Sequence, residues 1–382
     1  MRFLFLLFPL LFSSYAESLA EPVSDTSALG ISGYIKSLTQ ANQSMYPDTF
    51  MSGELIHQRT RLRYNFLDNL QLRTDIRTRI FYGKLFKQPG YREGLNDNNE
   101  LINLDRSFFE SQDVLLLVQV DRAYIDYSIE KFNLRVGEQR INWGTNLVWN
   151  PNDIFNTYNI LDFDYEERNG VQAIRTQYRL SDKSNIDLAG APGKDTTSVY
   201  GLQYKSNYNK YDLQVSLGSV HQQLVTGAGW AGNIASCGFK GEINYYFRKG
   251  ETQRQFIAST TIDYTTGNQW YLFGSVLYQL ERPIGNEIIY SNQKTSSTAK
   301  FLMPGNWSFY TGSIKELTPR SSFQMALIYS DYLNTLIAFP SFSFNPGNEL
   351  ELLATFQAIF NDQRNKWQYE GIAGFLRIKY SF

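Results

Sequence analysis

The chain has 382 residues, a formal net charge of −1, 42% hydrophobic and 15% aromatic residues, and a mean hydropathy of −0.36. The charge balance argues against bulk attraction to nucleic acid, the single cysteine, Cys237, excludes an intramolecular disulfide, and the lack of an apolar run of about 20 residues argues against a transmembrane helix. Yet 26 Tyr and 27 Phe are many for so polar a chain, a combination that suits sheets with one greasy face and one wet face.

The first 16 residues have the form of a secretory signal peptide. Arg2 supplies the positive end, residues 3–12 the apolar stretch, and Ser14-Tyr15-Ala16 a small-x-small cleavage site, with cleavage after Ala20 as the alternative. About ten apolar residues containing Pro9 are too few to span a bilayer as a helix. The expected layout is a signal peptide over 1–16 and one structural unit over 17–382.

From residue 17 onward, period-2 alternation recurs along the whole chain, the mark of strands with two unlike faces. The clearest segments are 56–66, 71–81, 132–139, 174–180, 213–221, 239–247, 256–264, 270–280, 323–329 and 350–360. Several give apolar rows: Leu350, Leu352, Ala354, Phe356, Ala358 and Phe360; Phe323, Met325, Leu327 and Tyr329; Ile243, Tyr245 and Phe247. Most segments have about the length a tilted strand needs to cross a bilayer, roughly 9–11 residues.

The connections sort into short turns at 68–70, 130–131, 181–183, 207–210, 265–268, 318–320 and 345–348, and longer loops at 83–113, 142–169, 282–304 and 361–366. Two such classes are expected when the two rims face different compartments. With both ends on the short-turn rim, the parity closes only if 211–235 makes an extra hairpin, up through Val220 and down through 224–232. The expected fold is all-β: a single closed antiparallel transmembrane β-barrel of 18 strands, with 16 as the alternative.

Two early strands are unusually basic. With Ile56, Leu62, Tyr64 and Phe66 outward, the inward set of the first is His57, Arg59, Arg61 and Arg63. With Leu72, Ile76 and Ile80 outward, that of the second is Gln71, Arg73, Asp75, Arg77 and Arg79. A three-residue loop, 68–70, keeps the faces matched and sets Arg63 opposite Asp75, Arg61 opposite Arg77 and Arg59 opposite Arg79. Arg122, Arg135 and Arg175, with Arg179, extend the same wall on later strands. Arg facing lipid at the bilayer midplane would cost roughly 2–4 kcal/mol each, so these side chains are expected to face water. Either the row guides anionic solutes, as rows of Arg do in selective pores, or lumenal carboxylates such as Asp75 and Asp126 neutralise it.

The second long loop contains Trp143, Trp149, Asp153, Asp162, Asp164, Glu166 and Glu167, with many apolar residues between them. Folded inward, it sets acidic side chains against the Arg wall and forms a constriction. Lying outside, it is an aromatic cap, and Trp143 and Trp149 belong to the interfacial girdle. The apolar content favours packing inward or on the rim. No catalytic residue is expected, because His57 and His221 are the only histidines and neither has a companion nucleophile or acid in the sequence. One Cys and two separated His make no metal set, and no cofactor is expected.

The run 135–153, RVGEQRINWGTNLVWNPND, followed by FDYEERNGVQAIR, resembles a strand-to-loop signature (R-V-G-x-Q-x-x-x-W-G, then N-P-x-D) of a poorly characterised group of porin-like Gram-negative outer-membrane barrels. By that likeness Gly137, Trp143, Gly144, Asn150, Pro151 and Asp153 would shape an inward loop, with Glu138 standing where a basic residue is expected. The closing alternation Ile372, Gly374, Leu376, Ile378, Tyr380 and Phe382 is similar to the C-terminal signature of outer-membrane barrels. The resemblance implies a Gram-negative outer-membrane location, contact with lipid and lipopolysaccharide, and insertion by the barrel assembly machinery acting on Tyr380 and Phe382. Joined to the Arg row, it gives the expected function: a channel for diffusion of small hydrophilic anionic solutes. Two alternatives stay open, an exporter of an acidic polysaccharide and a transporter of aromatic or hydrophobic solutes lined by Tyr271 and Phe273.

Overall fold

The structure, a computed structural model, describes residues 28–45, 48–87, 101–111, 113–157, 170–194, 197–250, 253–281, 299–362 and 366–382. The expected signal peptide, 1–16, lies outside the described residues. The strands in chain order are β1 (Leu29–Met45), β2 (Asp48–Leu67), β3 (Leu70–Tyr82), β4 (Arg106–Glu110), β5 (Val114–Ile129) and β6 (Phe132–Gln139). There follow β7 (Val171–Ser181), β8 (Ser184–Ala191), β9 (Val199–Tyr208), β10 (Tyr211–Val220), β11 (Gln223–Ile234), β12 (Cys237–Tyr246) and β13 (Gln255–Thr265). The chain closes with β14 (Trp270–Gln279), β15 (Trp307–Thr318), β16 (Ser321–Ser330), β17 (Thr335–Phe344), β18 (Leu350–Asp362) and β19 (Trp367–Ser381).

All strands but β4 form one antiparallel barrel of 18 strands, each pairing with its neighbour in sequence, and β1 pairs with both β2 and β19. Closure is what hydrocarbon demands, since every backbone amide there needs a partner within the protein and only a closed sheet has no edge. Short β4 lies outside the count. It pairs with the upper half of β5, where β6 does not reach, and so completes the wall above β6.

The 16-strand alternative is excluded by the hairpin over 211–235. There β10 and β11 meet at the two-residue turn His221-Gln222, with φ of 50° and 65°. Two successive residues with positive φ match the right-handed twist of a tight hairpin. Asn209 and Lys210 make the same kind of turn between β9 and β10, with φ of 47° and 67°.

The outer face is apolar between two aromatic belts. Exposed Tyr64, Phe66, Tyr204, Tyr264, Trp270, Phe344, Tyr380 and Phe382 gather at the short-turn rim, and Phe50, Tyr82, Tyr200, Phe247, Trp307 and Phe309 toward the long-loop rim. Trp and Tyr settle at both membrane–water boundaries for their mixed polarity. The last residue extends the closing seam: Phe382 exchanges two backbone hydrogen bonds with Gly33, at 2.8 and 2.9 Å.

The β2–β3 register departs from the expected one. The turn is Asp68-Asn69, with Leu67 opposite Leu70, and Phe66 is an extra residue that bulges from the ladder. The bulge restores the face match that a two-residue turn alone would destroy. Arg63 therefore lies opposite Arg73, Arg61 opposite Asp75, Arg59 opposite Arg77 and His57 opposite Arg79. A second bulge in β5 leaves Asp121 unpaired between Val120 and Arg122, so the consecutive Asp121 and Arg122 both reach the inner face.

A basic arc opposite an anchored loop

The inner face of β19, β1, β2, β3 and β5 carries ten Lys and Arg side chains against three Asp. Backbone register arranges them in rows. From the short-turn rim upward these are Arg63 and Arg73; then Arg61, Asp75 and Arg122; then Tyr34, Arg59, Arg77 and Gln119; then Lys379, Lys36, His57 and Arg79. Above them an apolar row, Leu38, Leu55, Phe81 and Leu115, is capped by Leu85 and Phe86 from a 3-10 turn, Lys84–Lys87, that tucks inside the barrel.

Like charges directly across a ladder destabilise it, and here two carboxylates offset that repulsion. Asp75, fully buried, accepts from Arg59 at 3.0 Å, Arg73 at 3.1 Å and Arg122 at 3.2 Å. Asp121 accepts from Arg59 at 2.9 Å and Arg77 at 3.2 Å. The amide oxygen of Gln119 accepts from Arg77 at 2.9 Å and also from Arg79, while its amide nitrogen donates to Asp105 at 2.6 Å. Aromatic faces take part of the remaining charge: Lys379 sits 4.7 Å and Arg61 6.0 Å from the Tyr34 ring centre. Burial is graded, with Arg61, Arg63 and Arg73 half-buried and Arg59, Arg77, Arg79, Arg122 and Lys36 buried.

Farther round the wall two arginines stand in ion pairs. Arg135 donates to Asp126 at 2.6 Å, and Arg175 to Asp187 at 3.0 Å. These two arginines, expected to continue the basic wall, stand in locally neutral pairs instead.

The segment 140–157 after β6 folds into the barrel. Trp143 and Trp149 are 0% and 2% exposed. Trp143 packs edge-on to Phe155, and Trp149 edge-on to Tyr310 of β15, which in turn stacks on Phe273 of β14. Neither Trp belongs to a girdle. Asp153, also buried, accepts from the Trp143 amide at 3.1 Å and so shapes the loop itself. Asp162, Asp164, Glu166 and Glu167 lie outside the described residues.

Part of the loop seats on wall positions that carry glycine. A Cβ on Gly201 would lie 2.6 Å from the Trp143 ring, and one on its neighbour Gly218 3.1 Å from Ile154. Glycine is the residue that permits such close approach. Gly201→Leu is expected to displace Trp143 and lower stability by about 1–3 kcal/mol, the usual cost of overpacking; a urea unfolding midpoint equal to the parent's would refute this.

Around the ring of 18, β12 stands nine strands from β2 in either direction. Glu242 of β12 is the chief anchor of the loop. The basic arc and the loop therefore occupy opposite halves of the lumen.

No family model and no curated protein matches the chain. Solved structures do match over nearly its full length. Pseudomonas aeruginosa OccK11 (OpdR) superposes with a TM-score of 0.59 at 10% identity, covering 93% of this chain and 96% of that one. Acinetobacter baumannii OccAB2 gives 0.58 at 10% identity, with 92% and 98% covered. Pseudomonas aeruginosa OpdK, solved with vanillate, gives 0.57 at 7% identity, with 92% and 98% covered. The chain has the fold of the Occ and Opd outer-membrane porins.

In this porin fold, several charges that bear on the lumen escape a reading by strict alternation. Lys36, Arg377 and Lys379 join the arc, with Arg377 paired to Glu351 at 2.6 Å. Lys379 and Arg377 share the inner parity of the closing strand, whereas Lys36 lies on a strand whose alternation is weak. Asp121 is masked by its bulge. Tyr271 and Phe273 do face inward, but Phe273 is 5% exposed beneath the loop, so it supports the loop rather than lining a path. His57 is buried beside Tyr34, and His221 lies in a rim turn where burial lowers its pKa below the ordinary histidine value. Among the described residues no group of His, Cys, Asp and Glu could hold a metal ion.

Proposed function

We propose that this protein is an outer-membrane porin that lets small hydrophilic anions diffuse between the basic arc and the inward loop. The observation that carries the reading is the excess of ten Lys and Arg over three Asp on five adjacent inner strand faces, while Arg135 and Arg175, farther round, each pair with an aspartate. A one-sided cationic wall lowers the energy of an anion that has shed part of its water, which is how rows of Arg select in pores. The half-buried Arg61, Arg63 and Arg73 make first contact with the solute, and buried Arg59 and Arg77 set the field behind them. The short-turn rim faces the periplasm in this reading.

The loop argues against the two alternatives. A polysaccharide exporter needs a clear bore, and here the inward loop packs against β9–β13 and β15 inside the barrel. A path for greasy solutes needs bare aromatic side chains, and Phe273 and Tyr310 are buried, Tyr310 stacked on Phe273 and edge-on to Trp149.

The test is a planar bilayer with the refolded protein in a KCl gradient. The expected result is a steady pore with anion preference, and a reversal potential that moves toward the cation side in the Arg61→Ala plus Arg77→Ala variant. Cation preference in the parent, or no current from a barrel that remains folded and heat-modifiable on a gel, would overturn the proposal.

A further inference from the structure

We infer that Glu242 is a positioning residue that clasps the inward loop to the wall opposite the basic arc and thereby sets the width of the path; the width part rests on the porin reading above. Glu242 is fully buried on the inner face of β12. Its Oε1 accepts from the backbone amides of Thr145 and Asn146, the latter at 2.8 Å, and from the Thr145 hydroxyl at 3.2 Å. Its Oε2 accepts from the backbone amide of Asn152 at 2.9 Å. One carboxylate thus joins two points of the loop six and seven residues apart in sequence.

A carboxylate suits this place for a physical reason. Irregular backbone inside a barrel has no ladder to satisfy its amides, and an orphaned buried amide is costly. A carboxylate has two oxygens and only acceptor capacity, so it meets several inward-pointing N–H groups at once, through bonds stronger than neutral ones. Other contacts of the loop with the wall include neutral bonds: Gln203 and Gln214 both donate to the Trp143 carbonyl, at 3.3 and 2.9 Å. Asn146 donates to Ser259 at 2.8 Å, Ser259 to the Trp149 carbonyl at 2.8 Å, Asn244 to the Pro151 carbonyl at 2.8 Å, and Asn152 to the Ala228 carbonyl at 2.8 Å. Glu242, by contrast, is a carboxylate that bridges the Thr145-Asn146 and Asn152 amides.

Glu242→Gln keeps the shape of the side chain but turns one oxygen into an N–H donor. If that group takes the place of Oε2, it faces the Asn152 amide donor to donor; if it takes the place of Oε1, it faces those of Thr145 and Asn146. Either orientation loses one arm of the clasp. Two readouts apply to the full-length refolded barrel. The first is amide hydrogen exchange at Thr145, Asn146 and Asn152, which needs no conduction. The second is single-channel conductance, compared with a barrel in which residues 143–156 are replaced by a short Gly-Ser linker.

The expected result is faster exchange at those amides and a conductance that rises toward the linker variant, with added open-channel noise. In the linker background, Glu242→Gln is expected to leave conductance unchanged, because the residue acts only through the loop. A short bifunctional thiol cross-linker between cysteines replacing Asn146 and Ser259, with Cys237→Ser, is expected to restore the narrow level in Glu242→Gln. Should the single variant fail to fold, the cross-linked form supplies the same comparison before and after the tether is cut. Parent-like exchange and conductance in Glu242→Gln, or an equal conductance change with the loop absent, overturns the inference. A silent parent whose three amides still loosen in Glu242→Gln supports the clasp and removes the porin reading alone.

Discussion

Asp75→Ala is expected to weaken the barrel more than any other single substitution on the basic arc. Asp75 has no solvent exposure and accepts hydrogen bonds from Arg59, Arg73 and Arg122, while Arg59 is itself only 1% exposed. Removing one partner of a buried ion pair leaves an uncompensated charge, with a cost of about 3–5 kcal/mol. Here one deletion strips an acceptor from three guanidinium groups that already stand in close like-charged rows. Asp121 still bridges Arg59 and Arg77, which keeps the effect short of complete collapse. The check is urea unfolding of the barrel in lipid or detergent, followed by the shift in gel mobility. Asp75→Ala should unfold at much lower urea than the parent, and adding Arg73→Ala should recover part of the loss, since the pair acts as a unit. Equal midpoints for parent and single variant would mean that water or ions, rather than Asp75, balance the arc.

The arc and the loop differ in how well the amino-acid sequence reveals them. The barrel is legible because its cause is local: each strand must show one face to lipid, so alternation is written into nearly every segment. Even the hairpin over 211–235 follows from parity. Register is less legible, because a single bulged residue shifts every partner beyond it. Phe66 looks like the last member of an outward row, yet its extrusion moves Arg61 from Arg77 to Asp75. Asp121 is hidden for the same reason, since alternation assigns consecutive residues to opposite faces and a bulge suspends that rule.

The seat of the loop is legible only in hindsight. Glu242 and Asn244 occupy inward positions on a strand whose outward Ile243, Tyr245 and Phe247 draw attention first. Gly201 and Gly218 read as breaks in strand propensity, whereas their real role is to leave room for Trp143 and Ile154. No pattern within one strand can show which distant loop needs that room. Such contacts depend on which parts of the wall the closed barrel sets face to face, a property of the ring and not of the segment.

Replacing residues 143–156 by a short Gly-Ser linker is expected to have the largest effect on conduction. The loop packs inside the barrel against β9–β13 and β15, so its removal widens the lumen and should raise single-channel conductance, since barrels of 16–18 strands leave an aqueous channel when nothing fills them. Selectivity should fall as conductance rises. Exposed charges more than a Debye length of about 10 Å from the solute at 0.1 M salt are largely screened, so an ion crossing the widened half would escape the field of Arg61, Arg63 and Arg73. The barrel should also lose stability, because Tyr310, now packed against Trp149, and the carboxylate of Glu242 would face water. The two measurements separate the roles of wall and loop. A rise in conductance with a loss of anion preference means that the arc selects only because the loop presses solutes against it. A rise with preference intact means that the arc selects alone, and an unchanged conductance would place the narrowest point beneath Leu85 and Phe86 instead.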